Sequence, residues 1–153
     1  CRTKQNVLTA SDYMVFGFAD ATQAGLIGGG SANAIFAIGA DSAGATQIRC
    51  SSEDGSNTLT TTDVTSDLVT GFVGTDYHTY GIELSVTGSG AGTMSGKIDW
   101  FVDGKKVNTR ALTYATITAT DFDDLTLEVH FEDAAADVPV PTIDWASASG
   151  PRV

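Results

Sequence analysis

Cysteine, proline, positive charge and long apolar runs are all scarce in this chain. No apolar run approaches the ~20 residues a helix needs to cross a bilayer, which excludes a helical membrane span. There are two cysteines, Cys1 and Cys50, without CxxC or metal-ligand spacing, so no disulfide framework holds the fold and stability has to come from a core. A buried Cys50 thiol beside Ile48 and a surface Cys1 are the expected arrangement, with a Cys1–Cys50 disulfide left open. Only 8 basic residues stand against 19 acidic ones, and the net charge of −11 makes nucleic acid and anionic membranes poor direct partners. Helix-forming sequence is missing too. Residues 21–31 carry Gly25, Gly28, Gly29 and Gly30 and read as a loop, and residues 116–124 are too rich in Thr and Asp to hold more than a connection.

What is abundant is period-two alternation. In residues 77–107, Tyr80, Ile82, Leu84 and Val86 fall on one face of a first strand, with Thr79, Glu83 and Ser85 on the other. After a glycine-rich loop, Ile98, Trp100 and Val102 alternate with Asp99, Phe101 and Asp103. Asp103-Gly104 then supplies the positive dihedrals of a two-residue hairpin turn, and the chain continues as Lys105-Lys106-Val107. Further strands are expected over 7–19, 34–40, 46–52, the threonine-rich 58–65, 109–116, 125–132 and 141–146. Met14, Phe16 and Phe18 oppose Tyr13 and Val15, so both faces of that strand read as covered. Leu125, Leu127, Val129 and Phe131 form an inward row with Thr126, Glu128, His130 and Glu132 behind it. Strand-like runs about ten residues apart, punctuated by Gly, Asn and Asp, imply an all-β, two-sheet antiparallel sandwich. At 153 residues and 42% hydrophobic content, one domain spanning 1–153 is expected, with a short N-terminal arm (1–6) and a C-terminal tail (148–153). The start at Cys1 without Met reads as a processed chain or a piece of a longer one, and a lipid-bearing Cys1 stays open.

The segments His78-Thr-Tyr-Gly-Ile-Glu-Leu84 and Lys97-Ile-Asp-Trp-Phe-Val-Asp-Gly-Lys-Lys-Val107 resemble the central strands of concanavalin A-like jelly rolls. That superfamily includes laminin G-like domains and family 16 glucanases, and Ile143-Asp144-Trp145 is similar to its closing strand. Phe16-Gly-Phe-Ala-Asp-Ala21 is also similar to jelly-roll domains of bacteriophage virion proteins. The resemblance implies a scaffold and leaves the chemistry to be argued from the residues.

Family 16 glucanase chemistry needs paired carboxylates in a Glu-x-Asp-x-x-Glu row, and no such motif precedes Tyr77, so no enzymatic activity is expected. Glu128, His130 and Glu132 share one strand face and are the best remaining candidates for a ligand or contact row. Neither histidine sits in a nucleophile context, and Gly28-Gly29-Gly30 lacks the Lys-Ser/Thr of a phosphate loop. No cofactor is implied, with a structural calcium left open. Among the aromatics, Trp100 belongs to the core by its alternation, and Phe101 is the ring expected at the surface.

The resemblance and the missing catalytic residues together imply a non-enzymatic virion structural protein. A capsid decoration or head-surface protein, or a fibre domain, would act through contacts with capsid proteins or its own copies. Arg2 and Lys4 are candidate contact residues on an assembly arm. The expected location is the particle surface. The alternative is a glycan-binding laminin G-like or lectin-like module, extracellular or on a cell surface.

Overall fold

Alternation builds two antiparallel sheets in the computed structural model of the chain, which describes residues 1–4, 13–19, 33–40, 46–53, 60–68, 76–87, 95–112, 126–132 and 142–149. In chain order the strands are β1 (Arg2–Lys4), β2 (Tyr13–Ala19), β3 (Asn33–Ala40), β4 (Thr46–Glu53), β5 (Thr60–Asp63), β6 (Tyr77–Thr87), β7 (Ser95–Val102), β8 (Lys105–Leu112), β9 (Thr126–Glu132) and β10 (Thr142–Trp145). Sheet I has the order β10-β1-β6-β7-β8 and sheet II the order β5-β4-β3-β2-β9, five strands each. The protein is thus a two-sheet antiparallel β-sandwich, as its alternation implies.

The core lies between the sheets. Sheet II contributes Met14, Phe16, Ala34, Phe36, Ile48 and Cys50, and sheet I contributes Tyr80, Ile98, Trp100 and Val102. Leu127 and Val129 of β9 pack against this core, as their inward row requires. Val15, Ala19 and Ile35 form a second buried cluster on the opposite face of β2 and β3, so β2 is covered on both sides.

The β7–β8 hairpin closes as expected, with Asp103 at φ 50° and Gly104 at φ 76°, the positive pair that matches the twist of paired strands. Asp103 also ties the turn back to β6: its amide donates to the Thr79 carbonyl at 2.8 Å and its carboxylate accepts from the Thr79 amide at 2.9 Å. His78 Nδ1 lies 2.7 Å from the same carboxylate, which assigns His78 to the scaffold. One feature of the hairpin is not visible in the alternation. The register shifts between Trp100, opposite Asn108, and Phe101, opposite Lys106, so Val107 is an extra residue that packs against the core.

Gly17 marks a close approach of β2 to β3 and to a side chain of the facing sheet, and its φ of +153° is rarely adopted by a residue with a side chain. A β-carbon there would lie 2.3 Å from the Ala34 carbonyl oxygen, 2.7 Å from Ile35 Cα and 2.8 Å from Ile82 Cδ1 of the facing sheet. Beside this approach the Trp100 indole donates to the Ile35 carbonyl at 3.2 Å, across the sandwich. Phe36 and Tyr80 meet edge-on at 5.5 Å between ring centres, also between the sheets. A single 3-10 turn (Thr65–Asp67) links the two sheets on one flank: Val64 donates to the Ile48 carbonyl, and Lys105 donates to the Asp67 carbonyl at 2.5 Å.

Three expectations are corrected. Arg2–Lys4 is a strand between β10 and β6, not part of an irregular arm, because Thr3 points inward and is 1% exposed while the backbone pairs on both sides. Cys1 is buried rather than at the surface, its N-terminal ammonium donating to the Tyr80 carbonyl and its carbonyl accepting from the Tyr80 amide, and neither thiol is in a disulfide. The expected separate strand at 109–116 is, over its described part, the continuation of β8, since the bulge at Val107 bends the strand without ending it. The strand, loop, connection and tail expected at 7–12, 21–31, 113–124 and 150–153 lie outside the described residues.

Gly17→Ala should cost about 3 kcal/mol or more of unfolding free energy, because two backbone atoms of β3 stand where the methyl would go. Gly104→Ala, with nothing within 4 Å, should lose only the ~1 kcal/mol of left-handed strain. Urea denaturation of the two variants measures the difference, and equal losses would refute the close approach.

Candidate functional site

In β6, even-numbered residues enter the core and odd-numbered ones face outward, and the ladders carry that alternation across sheet I. Lys4 lies opposite Tyr77, Arg2 opposite Thr79, Phe101 opposite Gly81, and Asp99 opposite both Glu83 and Thr109. This outer face gathers Arg2, Lys4 and Phe101 from the residues that sequence reasoning singled out.

At one end, Tyr77 is 41% exposed, one of two large hydrophobic side chains left this open among the described residues. The Arg2 guanidinium sits 4.7 Å from its ring centre and the Lys4 ammonium 5.8 Å. Arg2 also pairs with Asp144 at 2.5 Å, where Asp144 is the extra residue of an irregularity between β1 and β10. Arg2 and Lys4 are therefore presented by a strand in the middle of a sheet. Their geometry is fixed by the ladder and does not depend on a neighbour ordering them.

Toward the other end, Phe101 is half-buried beside Gly81, where the missing side chain leaves space 3.7 Å from the Phe101 β-carbon. Next to it lies a group that sequence reasoning did not single out. Asp99 is 2% exposed although it faces outward. Its carboxylate accepts from Lys97 Nζ at 2.5 Å and Thr109 Oγ1 at 2.5 Å, with Lys106 Nζ at 3.6 Å. The Lys97 hydrogen bond first and the Thr109 hydrogen bond second pull the carboxyl down to about 2, against the opposing effect of burial. The same hydrogen bond to Asp99 raises Lys97. The Lys97-x-Asp99 spacing on one strand face was the available signal. Thr109 and Lys106 are brought in only by the β7–β8 register and its bulge.

Phe101 and the Glu128–His130–Glu132 row, taken together as one candidate face, are separated by the fold. Glu128 lies opposite Gly17 and His130 opposite Val15, so the row registers on the outer side of sheet II, whereas Phe101 is on the outer side of sheet I. The reason is topological: β9 joins β2 in one sheet, and β7 joins β6 in the other. Glu128 accepts from Thr126 Oγ1 at 3.1 Å; the His130 and Glu132 side chains lie outside the described residues. Among the described residues, no three His, Cys, Asp or Glu side chains converge to hold a metal ion, and no helix is long and apolar enough to cross a membrane.

No family model, curated protein or solved structure matches this chain. The class defined by the fold is the antiparallel β-sandwich, and function has to be argued from the face just described.

Asp99 is ionised in the folded protein well below the ordinary carboxyl value of 3.8. Its contribution to stability is complete above that value and is lost as pH falls through about 2, where the folded-state carboxyl takes up its proton. Asp99→Asn should therefore lower stability at neutral pH and flatten the fall in stability between about pH 5 and pH 2. Thermal denaturation across that range tests this, and parallel pH profiles for the two proteins would show the network to be energetically idle.

Proposed function

We propose that this chain is a non-enzymatic structural protein that works through protein–protein contacts, with the outer face of sheet I as its docking surface. The observation that carries this reading is the Arg2–Tyr77–Lys4 cluster, an exposed ring held between two cations on a rigid strand pair. On a chain of net charge −11, a basic and aromatic patch is complementary to the rest of the molecule's own charge, which suits contacts between copies. Tyrosine and arginine are also the residue types that dominate binding energy at protein interfaces. Asp99 is neutralised from within by Lys97 and Lys106, so it adds no free negative charge to the surface a partner meets.

The resemblance to jelly-roll domains of virion proteins suggests the setting: a capsid decoration, head-surface or fibre component of the concanavalin A-like type, arranged as repeated copies on a particle. The glycan-binding alternative needs an open aromatic platform. Tyr77 is the exposed ring, but the Arg2 guanidinium already lies over it at 4.7 Å, which favours a protein partner.

Sedimentation analysis across salt concentrations tests the reading. The protein should self-associate at low salt and dissociate as screening rises. Lys4→Glu and Tyr77→Ser should each weaken association about tenfold or more, with the folded circular-dichroism spectrum kept. A strict monomer up to about millimolar concentration, or association indifferent to both substitutions, would overturn it.

A further inference from the structure

Where β4 and β5 face β7 and β8, the sandwich leaves a lateral cleft of about 90 Å³. Its floor is the Cys50 side chain and the Trp100 ring, both nearly fully buried, and Ser52, Thr62, Asn108 and Arg110 line its walls. The register explains this composition. Arg110 lies opposite the buried Ile98 and Asn108 opposite the buried Trp100, so β8 turns a guanidinium and an amide toward the interior just after its bulge. On the facing sheet, Cys50 pairs with Thr62 in the β4–β5 ladder and presents the thiol and hydroxyl from the other side.

Arg110 spans the gap with one nitrogen, Nη1, which donates to the Ser52 carbonyl at 2.7 Å and the Ser52 hydroxyl at 2.5 Å. Among the described residues these are its hydrogen bonds, so the Nε–Nη2 edge, the side that pairs two oxygens in parallel, is left to the cleft. We propose that this cleft binds a small aliphatic carboxylate, held at its oxygens by Arg110 and Asn108 and at its carbon chain by Trp100 and Cys50.

Size, charge and polarity agree. The volume admits a short-chain acid. Arg110 is the only cation among the lining residues. Burial pushes the Cys50 thiol up, against a side-chain hydrogen bond with Asn108 that leaves the amide its second N–H for a ligand, so the thiol stays protonated and adds no negative charge to the floor. Asp67 is felt at Cys50, and Asp99, hydrogen-bonded to the lining residue Thr109, is paired with Lys97 and Lys106. This site is on the flank of the sandwich and is separate from the docking face, so either can fail without the other.

Titration of the whole chain with sodium propionate at constant ionic strength, followed by amide and indole NMR signals, tests the proposal, with propionamide as the uncharged counterpart. The expected result is a saturable shift at Ser52, Asn108, Arg110 and the Trp100 indole, with a Kd of about 1 mM or weaker given the ligand's size. Propionamide should give no saturable shift. Arg110→Lys, which keeps the charge but loses the fork, should weaken binding about tenfold or more. Should Arg110→Lys not fold, Asn108→Ala provides the second reading, with a several-fold loss expected. A linear, unsaturable response, an equal response to propionamide, or saturable binding unchanged in the variant that folds would each show that the cleft holds water only.

Discussion

The structure depends on the contact between its layers at Trp100, whose indole reaches the Ile35 carbonyl of sheet II, next to Gly17, where the Ile82 side chain of sheet I comes in over the β2–β3 ladder. Trp100 is 1% exposed, and burying roughly 200 Å² of such a ring at ~25 cal/mol per Å² contributes about 5 kcal/mol as an upper estimate. The hydrogen bond adds only about 1 kcal/mol net, yet leaving the buried N–H unmatched would cost 1 to 3 kcal/mol by the usual scale, at about that order. Burial therefore drives the contact and the hydrogen bond sets its geometry. Gly17 lies beside this contact, and a β-carbon there would meet Ala34 and Ile35 backbone atoms, which cannot move aside as a flexible side chain can.

From that contact outward, charge is deployed unevenly. Arg110 and Lys105 work internally, joining the sheets on the flank through Ser52 and Asp67. Lys97 and Lys106 neutralise Asp99, and Arg2 and Lys4 flank an exposed tyrosine. In a chain with 8 basic and 19 acidic residues, this places most of the cations on sheet I and at its edge, leaving the excess of acid elsewhere. On the proposed reading, that division lets one face meet acidic surfaces, its own included.

Much of this was legible in the residues. The 77–107 hairpin, the core positions of Tyr80, Ile98 and Trp100, the double covering of β2 and the inward row of β9 all follow from alternation and turn chemistry, which are local. Asp99 was not legible, since its partners Thr109 and Lys106 reach it only because Val107 bulges and shifts the register. Nor was the placement of Arg2–Lys4: a three-residue strand carries too little pattern to be seen, and its pairing partners lie far along the chain at β6 and β10.

By itself, then, the sequence determined that the chain is all-β, that strands such as β6 and β7 have a core side and an outward side, and where the Asp103-Gly104 hairpin turns. Period-two burial and the positive dihedrals of Asp103-Gly104 act between near neighbours, so no partner strand is needed to read them. Tertiary structure alone decided which outward faces belong together. It set Phe101 and Glu128 on opposite sides of the molecule, joined Arg2 and Lys4 to Tyr77, and opened a cleft beside Arg110. Those groupings depend on sheet order and register, which come from pairings between distant segments and have no counterpart in local pattern.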